Sequence, residues 1–141
     1  MTLSSDAQTL LSRFQRGNVL AADCPSRPVL QHLTSRWGTL VMVALAAQPH
    51  RFAELRRAVG GVSERMLSQT LKELEACGFV LRVAHAVVPP HVDYSLTPLG
   101  HEAAARLIPL VTWIEDSLDR ILDGAGRRNP GTMIPGREPA L

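Results

Sequence analysis

The sequence has few cysteines and few aromatic residues: it holds two cysteines in 141 residues, and aromatic side chains make up 4% of it. Cys24 and Cys77 are too few for the disulfide scaffold of a small secreted domain, and they do not form a Cys-x2-Cys pair. No apolar run approaches the roughly 20 residues that a membrane helix needs, and residues 1–6 lack the segments of a signal peptide. We therefore expect a cytoplasmic protein with no membrane partner.

The motifs of a metal site and of a catalytic centre are also missing. The five histidines show no His-x3-His or similar spacing, which argues against a metal-responsive protein, so we expect no metal and no other cofactor. Cys24 and one histidine could form a nucleophile and a base, but no oxyanion-hole motif and no glycine-rich phosphate loop accompany them. These absences disfavour an enzyme.

The chain carries little net charge, only +2, and its charge is distributed locally. Between Arg51 and Lys72 five basic residues stand against two acidic ones, whereas between Glu115 and Asp123 four acidic residues stand against one basic residue. A chain of 141 residues is long enough for one domain with a hydrophobic core. The basic segment suits an oriented approach to a polyanion.

Two amphipathic segments around Gly60-Gly61 predict a helix-turn-helix. The first helix should run from Phe52 to Val59. Ser63 then occupies an N-cap position, and the second helix should run from Glu64 to Cys77 before Gly78 ends it.

The second of these helices has two chemically different faces. At about 100° per residue, four side chains fall on a core face, namely Leu67, Thr70, Leu71 and Leu74. Arg65, Gln69 and Lys72 lie opposite, and such side chains can read base edges in a major groove. The alternative is an ordinary solvated face, because most surface helices carry charged residues opposite their core.

Two segments rich in β-branched residues follow and predict a hairpin. Residues 80–88 and 92–96 flank Pro89-Pro90-His91, which is too long and stiff for a two-residue turn. Arg82, His85 and His91 are expected along or near this wing, where a cation can meet a DNA phosphate or enter a minor groove, although wings also occur with a purely structural role. The short piece His50-Arg51-Phe52 is expected to pair with the wing.

The other segments are predicted to be helical. Residues 7–16 form an amphipathic stretch that either covers a partner subunit or frays, and helices are expected at about 27–35 and at 37–47, the latter core on most sides. From Thr97, which caps, one long helix should carry a near-heptad apolar seam, with a kink at Pro109. The seam either packs within the chain or pairs two chains; its predicted dimerisation residues are Leu107, Leu110, Ile114, Leu118 and Ile121.

These motifs, in this order, resemble the HxlR family of bacterial transcriptional regulators. The resemblance covers about residues 24–118 and rests on Cys24-Pro25, Trp37-Gly38-Thr39-Leu40, Arg51-Phe52-x-Glu54-Leu55, the stretch from Val62 to Leu74, Pro89-Pro90-x-Val92-x-Tyr94-x-Leu96-Thr97 and Gly100. It implies a MarR-like winged helix-turn-helix homodimer that binds a pseudo-palindromic operator in double-stranded DNA, as a repressor or an activator. The long N-terminal arm, the tail and Gly60-Gly61 depart from the usual pattern.

The resemblance also draws attention to Cys24. Many members carry a cysteine before a proline here, and several use it to sense electrophiles or disulfide stress. The start of a helix and the nearby Arg27 both favour a thiolate, but a small buried residue is an equally good interpretation. A regulator without redox sensing, responding to a small ligand or acting as a protein-interaction module, is the alternative function.

The predicted fold is α+β and mostly α, a winged helix-turn-helix with flanking N- and C-terminal dimerisation helices. Residues 1–23 would form an N-terminal arm, residues 24–122 the winged helix domain with its dimerisation helix, and residues 123–141 a disordered tail rich in glycine and proline. The predicted DNA-binding residues are Arg51, Arg56, Arg57, Ser63, Arg65, Ser68, Gln69, Lys72, Arg82 and His91.

Overall fold

The computed structural model describes residues 6–9 and 18–128. Residues 6–9 are helical, whereas residues 10–16 of the predicted N-terminal helix lie outside the described residues. The remaining elements are α1 (Ser26–Thr34), α2 (Arg36–Ala47), β1 (His50–Arg51), α3 (Phe52–Ala58), α4 (Glu64–Ala76), β2 (Val80–His85), β3 (His91–Leu96) and α5 (Pro98–Arg128). The predicted order of helices and strands is confirmed, with ends that differ by a few residues.

The core of the domain lies around α2. Val41, Met42 and Leu45 of this helix are buried, and Ser35 caps it by accepting the N–H of Gly38 at 3.0 Å. The prediction that α2 is core on most sides was only partly right, because Leu40 is 42% exposed. Buried leucines of α3 and α4 complete the packing, which fixes the helix-turn-helix on one scaffold.

A three-stranded antiparallel sheet forms the wing, with the strand order β1-β3-β2. His50 pairs with Tyr94 and Arg51 with Asp93, which confirms the predicted pairing of this short piece with the wing. β2 ends at His85 rather than at Val88. The tip contains Pro89 and Pro90, which lack the backbone N–H groups needed to continue the hydrogen-bond ladder of the sheet.

The wing joins α5 through a tight backbone crossing. Thr97 donates its hydroxyl to the carbonyl of Gly78 at 2.6 Å, and its N–H to the carbonyl of Phe79 at 3.0 Å. The same hydroxyl accepts the N–H of Gly100 at 3.0 Å, which confirms Thr97 as the cap of α5. Gly100 passes so close to the Phe79 carbonyl that a Cβ atom there would overlap it.

α5 is longer than predicted. It continues through Pro109 and extends to Arg128, so residues 123–128 are helical and the prediction of a disordered tail was wrong for them. The stretch extends an existing helix and so needs no new nucleus, and Ala125, Arg127 and Arg128 are good helix formers beside Gly124 and Gly126. Residues 129–141 of the predicted tail lie outside the described residues.

The described part of the chain divides into two compact units at Ala104 and Ala105, so that α5 begins in the first unit and continues in the second. The side chains of the predicted apolar seam, which lies in the second unit, differ in exposure. Leu107 is buried within the chain itself, Leu110 and Ile114 are exposed, and Leu118 and Ile121 are half-buried. Among the helices that the structure describes, none combines the length and the apolar character required to cross a membrane.

Candidate nucleic-acid interface

The helix α4 presents a polar face to solvent because its opposite face is anchored in the core. Four side chains on the core face are buried, namely Leu67, Thr70, Leu71 and Leu74. Arg65, Gln69 and Lys72 are exposed on the other face. The predicted division of this helix into two faces is therefore confirmed.

The N-terminus of α4 is fixed by the turn before it. Gly61 adopts a positive φ of +88°, a conformation that L side chains rarely adopt, and it redirects the chain between α3 and α4. The Oγ of Ser63 accepts the N–H of Met66 at 3.1 Å, which confirms Ser63 as the N-cap. The first turn of α4, which carries Arg65, is therefore held in one orientation.

An open cleft lies between α3 and the start of α4, bordered by Arg56, Arg57 and Ser63. Nη1 of Arg56 lies 3.0 Å from Oε1 of Glu64, an exposed pair of the kind that contributes about 0–1 kcal/mol. A phosphate can therefore replace Glu64 as the partner of Arg56. In the parts of the chain that the structure describes, no acidic group pairs with Arg57.

Gln69 and Ser68 are less available than the sequence suggested. The amide nitrogen of Gln69 donates to Oε1 of Glu73 at 3.2 Å, and the other oxygen of Glu73 lies 3.2 Å from Nδ1 of His32 on α1. Ser68 is half-buried. Gln69 would have to give up this exposed bond to read adenine, so its role as a base reader stays a prediction, whereas Arg65 and Lys72 make no such internal contact among the described residues.

The wing places Arg82 and His91 on opposite faces of the sheet. Arg82 pairs with Tyr94 and His85 pairs with His91, and successive side chains along a strand alternate between faces. Arg82 is exposed, whereas His91 is half-buried and stacks on His85 with the ring centroids 4.6 Å apart. The two residues would therefore meet DNA from different faces of the wing, and their contacts with phosphate stay predictions.

Arg51 stands at the edge of this sheet. Its N–H is accepted by the carboxylate of Glu54 at 3.0 Å, which caps the start of α3, and its Nε lies 4.0 Å from Oδ1 of Asp93. The Arg51 side chain is more than half exposed. It can therefore still reach a phosphate beside α3.

Cys24 is buried, with 5% of its surface exposed. The guanidinium of Arg27 donates to the carbonyls of Val19 and Leu20, at 3.3 and 3.1 Å, and secures the segment before α1. Cys77 follows α4 as its C-cap and is half-buried. Both cysteines are free thiols in this structure.

Met66 is a further candidate for this interface that the sequence pattern did not single out. It is 40% exposed beside Arg65 at the start of α4, at the border between the polar and the core face. An exposed apolar side chain on such a helix can contact the methyl group of thymine. The signal available in the sequence was its angular position, about 100° from Arg65.

A helix-turn-helix whose second helix exposes basic side chains, followed by a β-hairpin, defines a winged helix-turn-helix DNA-binding domain. Residues 32–122 match the model of the HxlR-like helix-turn-helix family. The chain belongs to this family, which confirms the resemblance seen in the sequence.

The relatives of this chain are named as transcriptional regulators. An uncharacterized HTH-type transcriptional regulator of Escherichia coli (strain K12), YtfH, is 53% identical over 114 residues, which cover 81% of this chain and 90% of YtfH. The solved structure of ytfH from Salmonella typhimurium is 54% identical, covers 80% of this chain and 99% of that one, and superposes with a TM-score of 0.73. This protein is therefore a transcriptional regulator with a helix-turn-helix DNA-binding domain.

Another structural neighbour is a redox regulator. The oxidized form of HypR is 33% identical, covers 66% of this chain and 96% of its own, and superposes with a TM-score of 0.61.

Proposed function

We propose that this protein is a homodimeric repressor that binds a pseudo-palindromic operator, with α4 in the major groove of each half-site. The observation that carries the proposal is the state of Arg65: it is exposed in the first turn of α4, a helix whose other face is locked by three buried leucines. A guanidinium held in this way can pair bidentately with guanine. The bound protein would then repress transcription by occupying DNA that RNA polymerase needs for initiation.

The phosphate contacts are proposed for the basic side chains around α4. Arg56 and Arg57 border the open cleft beside its N-terminus, where the helix dipole also favours an anion. Lys72 lies about two turns further along the exposed face, Arg51 lies at the edge of the sheet, and Arg82 is exposed on the wing. We propose that these five cations fix the register of the protein on DNA.

The homodimer is proposed to form through α5. Leu110, Trp113 and Ile114 expose large apolar side chains on this helix, with Trp113 exposed by 56%. Exposed apolar surface of this kind marks an interaction site. A two-fold axis between two chains would present two recognition helices to two half-sites.

Selection of bound duplexes from a random DNA pool tests the operator and the dimer together. We expect two inverted half-sites with their centres about 10 base pairs apart, or a multiple of that spacing, because two symmetric recognition helices meet successive turns of one groove. A single unpaired half-site, together with a monomeric mass by light scattering, would refute the homodimer while leaving DNA binding intact.

We also propose that Cys24 makes this regulator responsive to thiol oxidants. The support is its place before Pro25 at the start of α1 and the similarity to the redox regulator HypR. Because the thiol is buried, it can react only after the segment of residues 18–25 opens locally. The two hydrogen bonds from Arg27 to the carbonyls of Val19 and Leu20 would break in this opening.

The Cys24→Ser protein is expected to keep its DNA affinity after treatment with diamide and glutathione, in which diamide takes up two hydrogen atoms as the Cys24 thiol and glutathione join in a mixed disulfide. The wild-type affinity should change by roughly tenfold, a typical coupling between two sites. The measurement is the anisotropy of a labelled operator, reduced and oxidised. The matched control is Cys77→Ser, which retains Cys24 and should respond as the wild type does. An equal change in the Cys24→Ser protein would exclude Cys24 as the sensor, and a wild-type affinity that the oxidant leaves unchanged would leave a regulator whose signal is a ligand.

A further inference from the structure

The wing hairpin brings together three side chains that are potential metal ligands. His85 pairs directly with His91 across β2 and β3, and Asp93 lies two residues beyond His91 on the same strand. Direct partners and residues two apart share one face of a sheet. All three side chains therefore lie on the same face, opposite to the face that carries Arg82.

The donor atoms of these residues converge. Nε2 of His85 lies 2.8 Å from Oδ2 of Asp93, and Nε2 of His91 lies 3.9 Å from the same oxygen. One ligand atom from each residue lies within 4.8 Å of the other two. A tetrahedral zinc ion with bonds of about 2.0–2.2 Å requires donor atoms about 3.4 Å apart. The separation from His85 to Asp93 is shorter than this distance, and the separation from His91 to Asp93 is longer.

We propose that His85, His91 and Asp93 bind one divalent transition-metal ion of the type of Zn²⁺. Two imidazoles and one carboxylate supply three ligands, which leaves one tetrahedral position to water. Asp93 is suited to bind through one oxygen only, because Arg51 lies on the side of its other oxygen, Oδ1. The carboxylate thus lowers the net charge of the site without chelating the ion on its own.

The surroundings allow an ion to enter and to be held. The side chains of His85 and Asp93 are each 39% exposed, so the site opens to solvent. The ligands are presented by paired strands and not by a loose loop, and this register keeps the two imidazoles side by side. A bound ion would cross-link β2 and β3 beside the tip of the wing. Metal binding at this site does not require that the protein bind DNA.

The test is calorimetric titration of Zn²⁺ into the full chain, freed of metal by chelator and carrying no histidine tag. We expect one ion per chain, with affinity weakened at least about tenfold in each of His85→Ala, His91→Ala and Asp93→Asn. The matched control is His101→Ala, which removes an exposed imidazole on α5 and should leave the affinity unchanged. Circular dichroism of each variant checks that the fold is kept.

Titration with Co²⁺ identifies the ligands independently of any variant. Ligation by the wing predicts the visible bands of a tetrahedral nitrogen and oxygen site with no thiolate charge-transfer band in the near ultraviolet, because neither cysteine belongs to the site. The absence of zinc binding, a thiolate band, or an affinity that His91→Ala and Asp93→Asn leave unchanged would each overturn the proposal.

Discussion

Replacement of Arg65 by alanine is expected to weaken binding to the operator and to remove the preference at one base pair of each half-site, at a cost of about 1–3 kcal/mol per site. Arg65 is exposed on the first turn of α4, and no internal partner among the described residues would compensate for its loss. The measurement compares the affinities for the selected operator and for duplexes altered at single base pairs.

Two further variants separate base reading from charge. Arg65→Lys keeps the charge but loses the planar fork, so it should lose specificity while keeping much of the affinity. Lys72→Ala removes a proposed phosphate contact and should weaken all duplexes alike. An Arg65→Ala protein with the wild-type affinity and preference would show that Arg65 lies outside the base-reading surface.

Replacement of Gly100 by alanine is expected to lower the free energy of unfolding by about 3 kcal/mol, the upper end of the range for overpacking. A Cβ atom at this position would overlap the backbone carbonyl of Phe79, which also accepts the N–H of Thr97. The carbonyl cannot retreat without disturbing the crossing between the wing and α5. Urea denaturation followed by circular dichroism measures the loss.

Gly60 provides the matched control for this substitution. A Cβ atom built at Gly60 meets no atom within 4 Å. Gly60→Ala should therefore be nearly neutral, within about 1 kcal/mol of the wild type. Equal stabilities for the two alanine variants would contradict the close approach at Gly100.

The helix-turn-helix could be predicted from the sequence because its signals are local. The spacing of Leu67, Leu71 and Leu74 fixes the buried face of α4, and Ser63 fixes its start. The cap at Thr97 is equally local. Side-chain periodicity and capping operate within four residues, a range over which the sequence can be interpreted directly.

Contacts between distant residues could not be predicted in this way. Histidine spacing along the chain argued against a metal site, whereas the strand register places His85 and His91 side by side with Asp93. The same register sets Arg82 and His91 on opposite faces. A shift of one residue in the pairing would exchange these faces, and a hairpin tip with two prolines does not specify the register from its sequence alone.

The hydrogen-bond partners of single side chains likewise could not be predicted from the sequence. Arg27 is close to Cys24 along the chain, yet its guanidinium is occupied by the carbonyls of Val19 and Leu20. Glu73 of α4 likewise has a distant partner, because Nδ1 of His32 on α1 lies 3.2 Å from its Oε2. Such choices among neighbouring partners depend on three-dimensional placement, which composition and periodicity do not encode.

The most direct test of DNA recognition is the salt dependence of binding to the DNA upstream of this protein's own coding region, measured beside a scrambled duplex. We expect tight binding that discriminates between the two duplexes and falls by about 10³-fold or more between 50 and 200 mM salt, as for proteins that contact six or more phosphates. Absence of binding to any duplex, selected operator sequences included, or weak binding indifferent to both salt and sequence, would contradict DNA recognition and favour a winged helix that binds another protein.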